Sequence, residues 1–255
     1  MIDDVRTSDH MASMTDCGVC GKALVYATGP VSRVCDLCGG EQATLIYCPA
    51  GHFVCDACHG KTAMDVVRDV LATTTLADPV AILEQVMAHP GLPMHGPEHH
   101  AIVPGVIIAA ARNAGVAVPE GCLEAALKRA AKVPGGWCGY YGTCGAAVGV
   151  GVAVSVLTAA TPLKGEQRSL ALGATSHALA RMVDGEPRCC KRASRVAVRA
   201  AADYLRDRLA IDLPVEDGVR CGYTARNAQC ARENCDFFDA REEPAPGRRA
   251  SRPYA

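Results

Sequence analysis

CGVCGKALVYATGPVSRVCDLCGGEQATLIYCPAGHFVCDAC, residues 17–58, governs what this chain can fold into. It holds four close ligand pairs: Cys17 with Cys20, Cys35 with Cys38, Cys48 with His52, and Cys55 with Cys58. A Cys-x-x-Cys turn puts two thiolates beside one ion, and a second pair from elsewhere closes a tetrahedron, so eight ligands suffice for two zinc ions. The runs between the pairs carry too little apolar mass for a core of their own, and so short a segment needs a staple. Metal supplies one.

Two pairings are open. The sites are sequential, or they are interleaved, with Cys17, Cys20, Cys48 and His52 on one ion and Cys35, Cys38, Cys55 and Cys58 on the other. The interleaved scheme is favoured, and it resembles the cross-braced arrangement of RING-like, treble-clef zinc modules. Closed four-ligand sites leave no position for substrate, so the ions are expected to supply folding energy and a docking surface. His59 reads as a spare surface residue.

The chain has 255 residues, 49% hydrophobic and only 4% aromatic, so aliphatic side chains and alanine must fill one medium core beside the small module. A formal net charge of −1 lacks the electrostatic footprint of a nucleic-acid binder. Fifteen cysteines, many in Cys-x-x-Cys pairs or glycine-rich turns and with no basic-then-apolar signal peptide, point to metal ligation in a reducing, cytoplasmic setting. Residues 144–160, CGAAVGVGVAVSVLTAA, are uncharged but shorter than the roughly 20 residues of a membrane span. A buried helix packed closely through its small residues is expected there, and no membrane partner.

Residues 1–14 are polar and aperiodic and read as a disordered leader; the zinc module covers 15–60. From 61 to 220 the pattern is helical. AMDVVRDVL repeats its apolar residues at helical spacing, and Asp78-Pro79 forms an N-cap and first helical residue before VAILEQVMAH. Further helices are expected near 98–114, 119–132, 144–160, 165–183 and 190–209, broken by PGG at 134–136 and DGEP at 184–187. Cys122, inside GCLEAALKRAAK, reads as a core residue. Residues 221–255 form a polar, cysteine-containing C-terminal tail. The fold class expected is mainly α: a zinc-binding module followed by an all-α helical domain.

The helical part has cysteines of its own. In WCGYYGTCGAAVG, residues 137–149, Cys144 opens the small-residue helix and Cys138 lies one loop earlier. Helix N-terminal amides lower a thiol pKa and favour anionic clusters. In GEPRCCKR, residues 185–192, Cys189 and Cys190 point in different directions. Cys221, Cys230 and Cys235 either complete a cluster by folding the tail over the helices or form a separate site with one more ligand.

Cys144-Gly-Ala-Ala-Val-Gly149, followed after a helix by Pro-Arg-Cys189-Cys190-Lys-Arg, resembles the helical domain of iron–sulfur L-serine dehydratases. A further cysteine of those enzymes falls here near Leu179, so the third ligand is open among Cys138, Cys189 and the C-terminal cysteines. The longer stretch from Pro93-Met-His-Gly-Pro-Glu-His-His100 through PRCCKR resembles an uncharacterised cysteine-rich domain family associated with radical-SAM and methyltransferase systems. That resemblance implies an architecture and a redox neighbourhood.

His95, Glu98 and His99 bring two imidazoles and a carboxylate together at a helix start, a combination able to supply acid and base near neutral pH. Tyr141, with Tyr140 beside it, is placed to donate a proton or order a substrate. The reading is an iron–sulfur enzyme in which Cys144, Cys190 and a third thiolate hold a 4Fe-4S cluster with one iron open as a Lewis acid. The dehydratase resemblance implies elimination or hydration. One alternative is a redox or cluster-carrying accessory protein for a radical-SAM or methyltransferase partner; another is a zinc-only adaptor. Expected partners are a small-molecule substrate or a redox partner protein, with a homodimer left open.

Overall fold

The structure, a computed structural model, describes residues 17, 20 and 22–242. The leader at 1–14 and residues 243–255 of the tail lie outside them. The first elements are two antiparallel strands, β1 (Val25–Val34) and β2 (Glu41–Tyr47), paired from Val25 opposite Tyr47 to Val34 opposite Glu41. This hairpin is absent from the sequence expectation. Burial alternates along the whole of β1, but the register shifts between Tyr26 and Val31, across Gly29 and Pro30, because proline has no N–H for the ladder. The turn that joins the strands is itself a ligand knuckle: the Cys35 amide bonds the Gly40 carbonyl at 2.9 Å, and the Gly39 amide bonds the Cys35 carbonyl.

Nine helices follow among the described residues. A single turn, α1 (Asp56–His59), carries Cys58. Thr62 caps α2 (Ala63–Thr73) through the Asp65 amide, and Asp78 caps α3 (Pro79–Met87) through the amides of Val80 and Ala81, as expected of Asp before Pro. Then come α4 (Glu98–Asn113), α5 (Cys122–Ala130), the short α6 (Trp137–Tyr140), α7 (Gly145–Leu157), α8 (Gly165–Ala180) and α9 (Cys190–Leu209). Each long helix lies where the apolar period and the Gly/Pro breaks put it; α6 has no such signal.

Helix α4 is the hub. It is apolar around its whole circumference, is buried from His99 to Ala111, and packs against α2, α3, α5, α7 and α9. Its Pro104 leaves the His100 carbonyl without the usual helical donor, and α7 lays Gly149 against that carbonyl, where a β-carbon would stand 3.0 Å away. One turn earlier, a β-carbon on Gly145 would overlap the His100 ring. The uncharged α7 is therefore the close-packed buried helix expected, and no helix among the described residues is long and apolar enough to cross a membrane. Cys122 is buried against Ile108, Ala126 and Val156.

One apolar cluster joins the two parts of the chain: Leu37, Phe53, Cys55 and Cys58 share it with Val66, Val70, Ile82 and Leu83. At the other end, residues 211–242 hold no regular structure beyond three short turns, Thr224–Arg226, Arg232–Asn234 and Ala240–Glu242. They are anchored nonetheless. The Tyr223 hydroxyl donates to the Met87 carbonyl at 2.8 Å, and the Lys191 ammonium sits 4.0 Å from the centre of the Tyr223 ring. Beneath, Arg195 of α9 meets Glu84 of α3 through two bonds of 2.6 and 2.7 Å.

Candidate metal centres

The eight N-terminal ligands gather into two tetrads, Cys17, Cys20, Cys48 and His52, and Cys35, Cys38, Cys55 and Cys58; within each, all ligand atoms lie within 4.8 Å of one another. This is the interleaved arrangement, first pair with third and second with fourth. A tetrahedral zinc with bonds of about 2.3 Å sets sulfur–sulfur edges of about 3.8 Å. Cys20 and Cys48 Sγ stand 3.5 Å apart, Cys38 and Cys55 Sγ 3.7 Å, and Cys48 Sγ stands 3.7 Å from His52 Nδ1.

The electrostatics of the tetrads call for a cation. Burial, reinforced by the Cys48 and Cys17 thiols, pushes Cys20 up to about 12, and burial with Cys55 and Cys38 raises Cys58. In the same tetrads Cys35 and Cys48 are lowered despite burial, by the amides of Cys55 and Ala50 among others. An ion that takes the place of the protons lets the three sulfurs of one tetrad and the four of the other all be thiolates. His59 is exposed, as read.

The later cysteines divide between two cavities. Cys138 on α6, Cys144 at the N-cap of α7, and Cys189 and Cys190 at the start of α9 line a cavity of about 300 Å³ beside His100, Arg188 and Arg192. Cys144 is raised by burial, opposed by the Ala146 and Ala147 amides; Cys190 is raised by burial, opposed by the Gly96 amide. Cys189 also faces a smaller pocket of about 20 Å³ that Cys221, Cys230 and Cys235 line. Of the two neighbours, Cys190 lines the larger cavity and Cys189 lines both.

The expected acid–base group does not assemble on the cavity. His99 is fully buried, with Nε2 donating to the Pro93 carbonyl at 3.1 Å and Ser194 Oγ within 3.4 Å of Nδ1. Burial, helped by the Lys191 charge, brings it down to about 3, so at neutral pH it is an uncharged strut between α4 and α9. His95 donates from Nε2 to Asn227 Oδ1 at 3.2 Å, toward the smaller pocket, while its Nδ1 and Glu98 Oε2 are buried without partners. Tyr141 is 72% exposed and leans on Trp137.

The histidine on the cavity is His100. Its Nδ1–H donates to the Val133 carbonyl at 3.0 Å, which fixes the tautomer and leaves Nε2 with a lone pair, on a ring that lines the cavity. His100 is not singled out from the His-His pair in sequence. The signal was the glycine at position 145, whose missing side chain makes room for an imidazole one helix away.

Fold and site together define a mainly helical protein with two cysteine-rich tetrads suited to metal ions such as zinc. The chain belongs to a family of unknown function, DUF5714, which matches residues 67–238. That span takes in both cavities and omits the two tetrads. No curated protein and no solved structure matches the chain, iron–sulfur dehydratases included.

Proposed function

We propose that this protein is an iron–sulfur enzyme of the lyase type, with Cys138, Cys144 and Cys190 holding a four-iron cluster at the wall of the larger cavity. The observation that carries the reading is the convergence of Cys138, Cys144 and Cys190, from three helices and with Cys189 beside them, on one cavity that His100 also lines. Among the described residues no three donor atoms outside the two tetrads lie within 4.8 Å of one another, so the cavity thiols suit a group wider than a single ion. The amides of Ala146, Ala147 and Gly96 temper thiolate charge at Cys144 and Cys190.

Held by three cysteines, such a cluster supplies a Lewis acid for a substrate oxygen or sulfur. The chain's own groups supply the rest. His100 Nε2 is the base that takes a proton from carbon in elimination or returns it in hydration. Arg188 at the rim and Arg192, steadied by Asp184 at 3.1 Å, present guanidinium groups to a carboxylate. Small hydroxy or thiol carboxylic acids fit this lining.

The test is iron, acid-labile sulfide and zinc content of protein purified without oxygen, beside a Cys144→Ala, Cys190→Ala variant and a His100→Asn variant. The cysteine variant is expected to lose the iron and sulfide that the larger cavity holds and to keep two zinc. His100→Asn keeps the cluster and loses about 100-fold or more of turnover on a panel of hydroxy and thiol acids. Zinc alone in every sample overturns the reading in favour of a zinc-only adaptor.

A second reading, a cluster-carrying partner of a radical-SAM or methyltransferase protein, is favoured by the apolar residues that the hairpin exposes, Tyr26, Leu45 and Ile46. It predicts a loaded, reversibly reducible cluster with no turnover of the acid panel.

A further inference from the structure

Four cysteines from two distant parts of the chain meet at the smaller pocket: Cys189 at the N-cap of α9, and Cys221, Cys230 and Cys235 on the C-terminal segment. That segment buries only three large apolar side chains, Leu213, Tyr223 and Phe237. So little apolar mass holds so irregular a stretch poorly without a cross-link.

Burial raises Cys189 and Cys235, yet each of the four sulfurs meets a donor suited to a ligated thiolate. Cys189 Sγ accepts from the Arg192 amide at 3.4 Å and from Asn227 Nδ2 at 3.6 Å; Cys230 Sγ accepts from the Arg232 amide at 3.4 Å. The Phe237 amide reaches Cys235, and the Arg195 guanidinium reaches Cys221. N–H donors and fixed cations around sulfur offset the negative charge of a ligated cluster.

The spacing argues against a lone zinc. Four sulfurs on one ion stand about 3.8 Å apart, and both N-terminal tetrads meet a 4.8 Å limit that these four do not. All fifteen cysteines are free thiols, so no disulfide accounts for the gathering.

The geometry points to a second iron–sulfur site, ligated by Cys189, Cys221, Cys230 and Cys235, that clamps the C-terminal segment to α9. It stands apart from the cavity reading, since it uses other thiols and, with four cysteines, leaves no iron open to substrate. The peptide bond between Cys189 and Cys190 sets the two sites side by side.

Metal analysis of the intact, anaerobically purified chain tests it. About eight iron and eight sulfide beside two zinc are expected when both sites load. A Cys221→Ser, Cys235→Ser variant should lose about four iron and keep the iron that depends on Cys144 and Cys190. About four iron in the intact chain, all lost with Cys221 and Cys235, would uphold this site while removing the cavity cluster. Iron unaffected by the Cys221→Ser, Cys235→Ser variant, or a third zinc in place of iron, overturns the proposal. Where that variant fails to fold, Asn227→Leu, which keeps every thiol but removes one N–H···S bond, should shift the reduction potential of one cluster and leave the iron count unchanged. Potentials unmoved by Asn227→Leu count against the site.

Discussion

His99 shows how one residue type carries opposite meanings in sequence and in space. Beside Glu98 and His95 it reads as a base; buried between α4 and α9 with both nitrogens engaged, it is held uncharged. The charges that bear on it, from Lys191 on α9 and from His100 and His95, all act in the same lowering direction as burial. An unfolded histidine titrates near 6.5, and the folded one near 3. Between those values the unfolded chain binds a proton that the folded chain refuses, so stability is complete above about pH 6.5 and falls as pH drops, by at most about 1.4 kcal/mol per unit. His99→Gln should flatten this slope. Urea midpoints of parent and variant at pH 7 and pH 5 measure it, and an equal loss in both would show that His99 does not titrate on unfolding.

Among the elements, the long helices are legible because their signals are local: a cap such as Asp78-Pro79, an apolar period, a glycine or proline break. The hairpin is not, since Gly29-Pro30 reads as a break, the register shifts there, and the strands lie between ligands that obey other spacings. The cavity lies between. Cys144 and Cys190 announce themselves as thiols at helix starts, but which histidine meets them depends on how α7 crosses α4, which no local pattern states. The crossing itself is testable. Gly145→Ala drives a methyl into the His100 ring and should cost about 1–3 kcal/mol. Gly165→Ala, at the start of α8 with nothing within 4 Å, should be neutral or stabilising by up to about 1 kcal/mol. Thermal melts of the two variants compare them directly; similar losses in both would mean that α7 and α4 are not in contact at that point.

At the scale of the molecule, the division into a zinc module and a helical domain describes the sequence better than it describes the packing. Leu37, inside the Cys35–Cys38 pair, and Phe53, between His52 and Cys55, lie in the same apolar cluster as α2 and α3, and Gln85 of α3 bonds the Leu37 carbonyl at 3.4 Å. Removing metal from the tetrads should therefore not merely loosen a hairpin. A chelator-treated chain is expected to lose helical signal at a lower temperature and in one transition with the module, as read by calorimetry and far-ultraviolet circular dichroism. Two separate transitions, with the helical one unmoved, would contradict a shared core.

The shared core also has a direction in time. As the chain leaves the ribosome, Cys58, the last of the eight ligands, emerges before the first residue of α2. Vectorial synthesis lets the earlier unit fold first, so the knuckles can close on their ions while the helices are still being made. Leu37 and Phe53 would then wait as a small preformed apolar floor on which α2 and α3 land, and supply of metal to the nascent chain would set the pace of everything built above it.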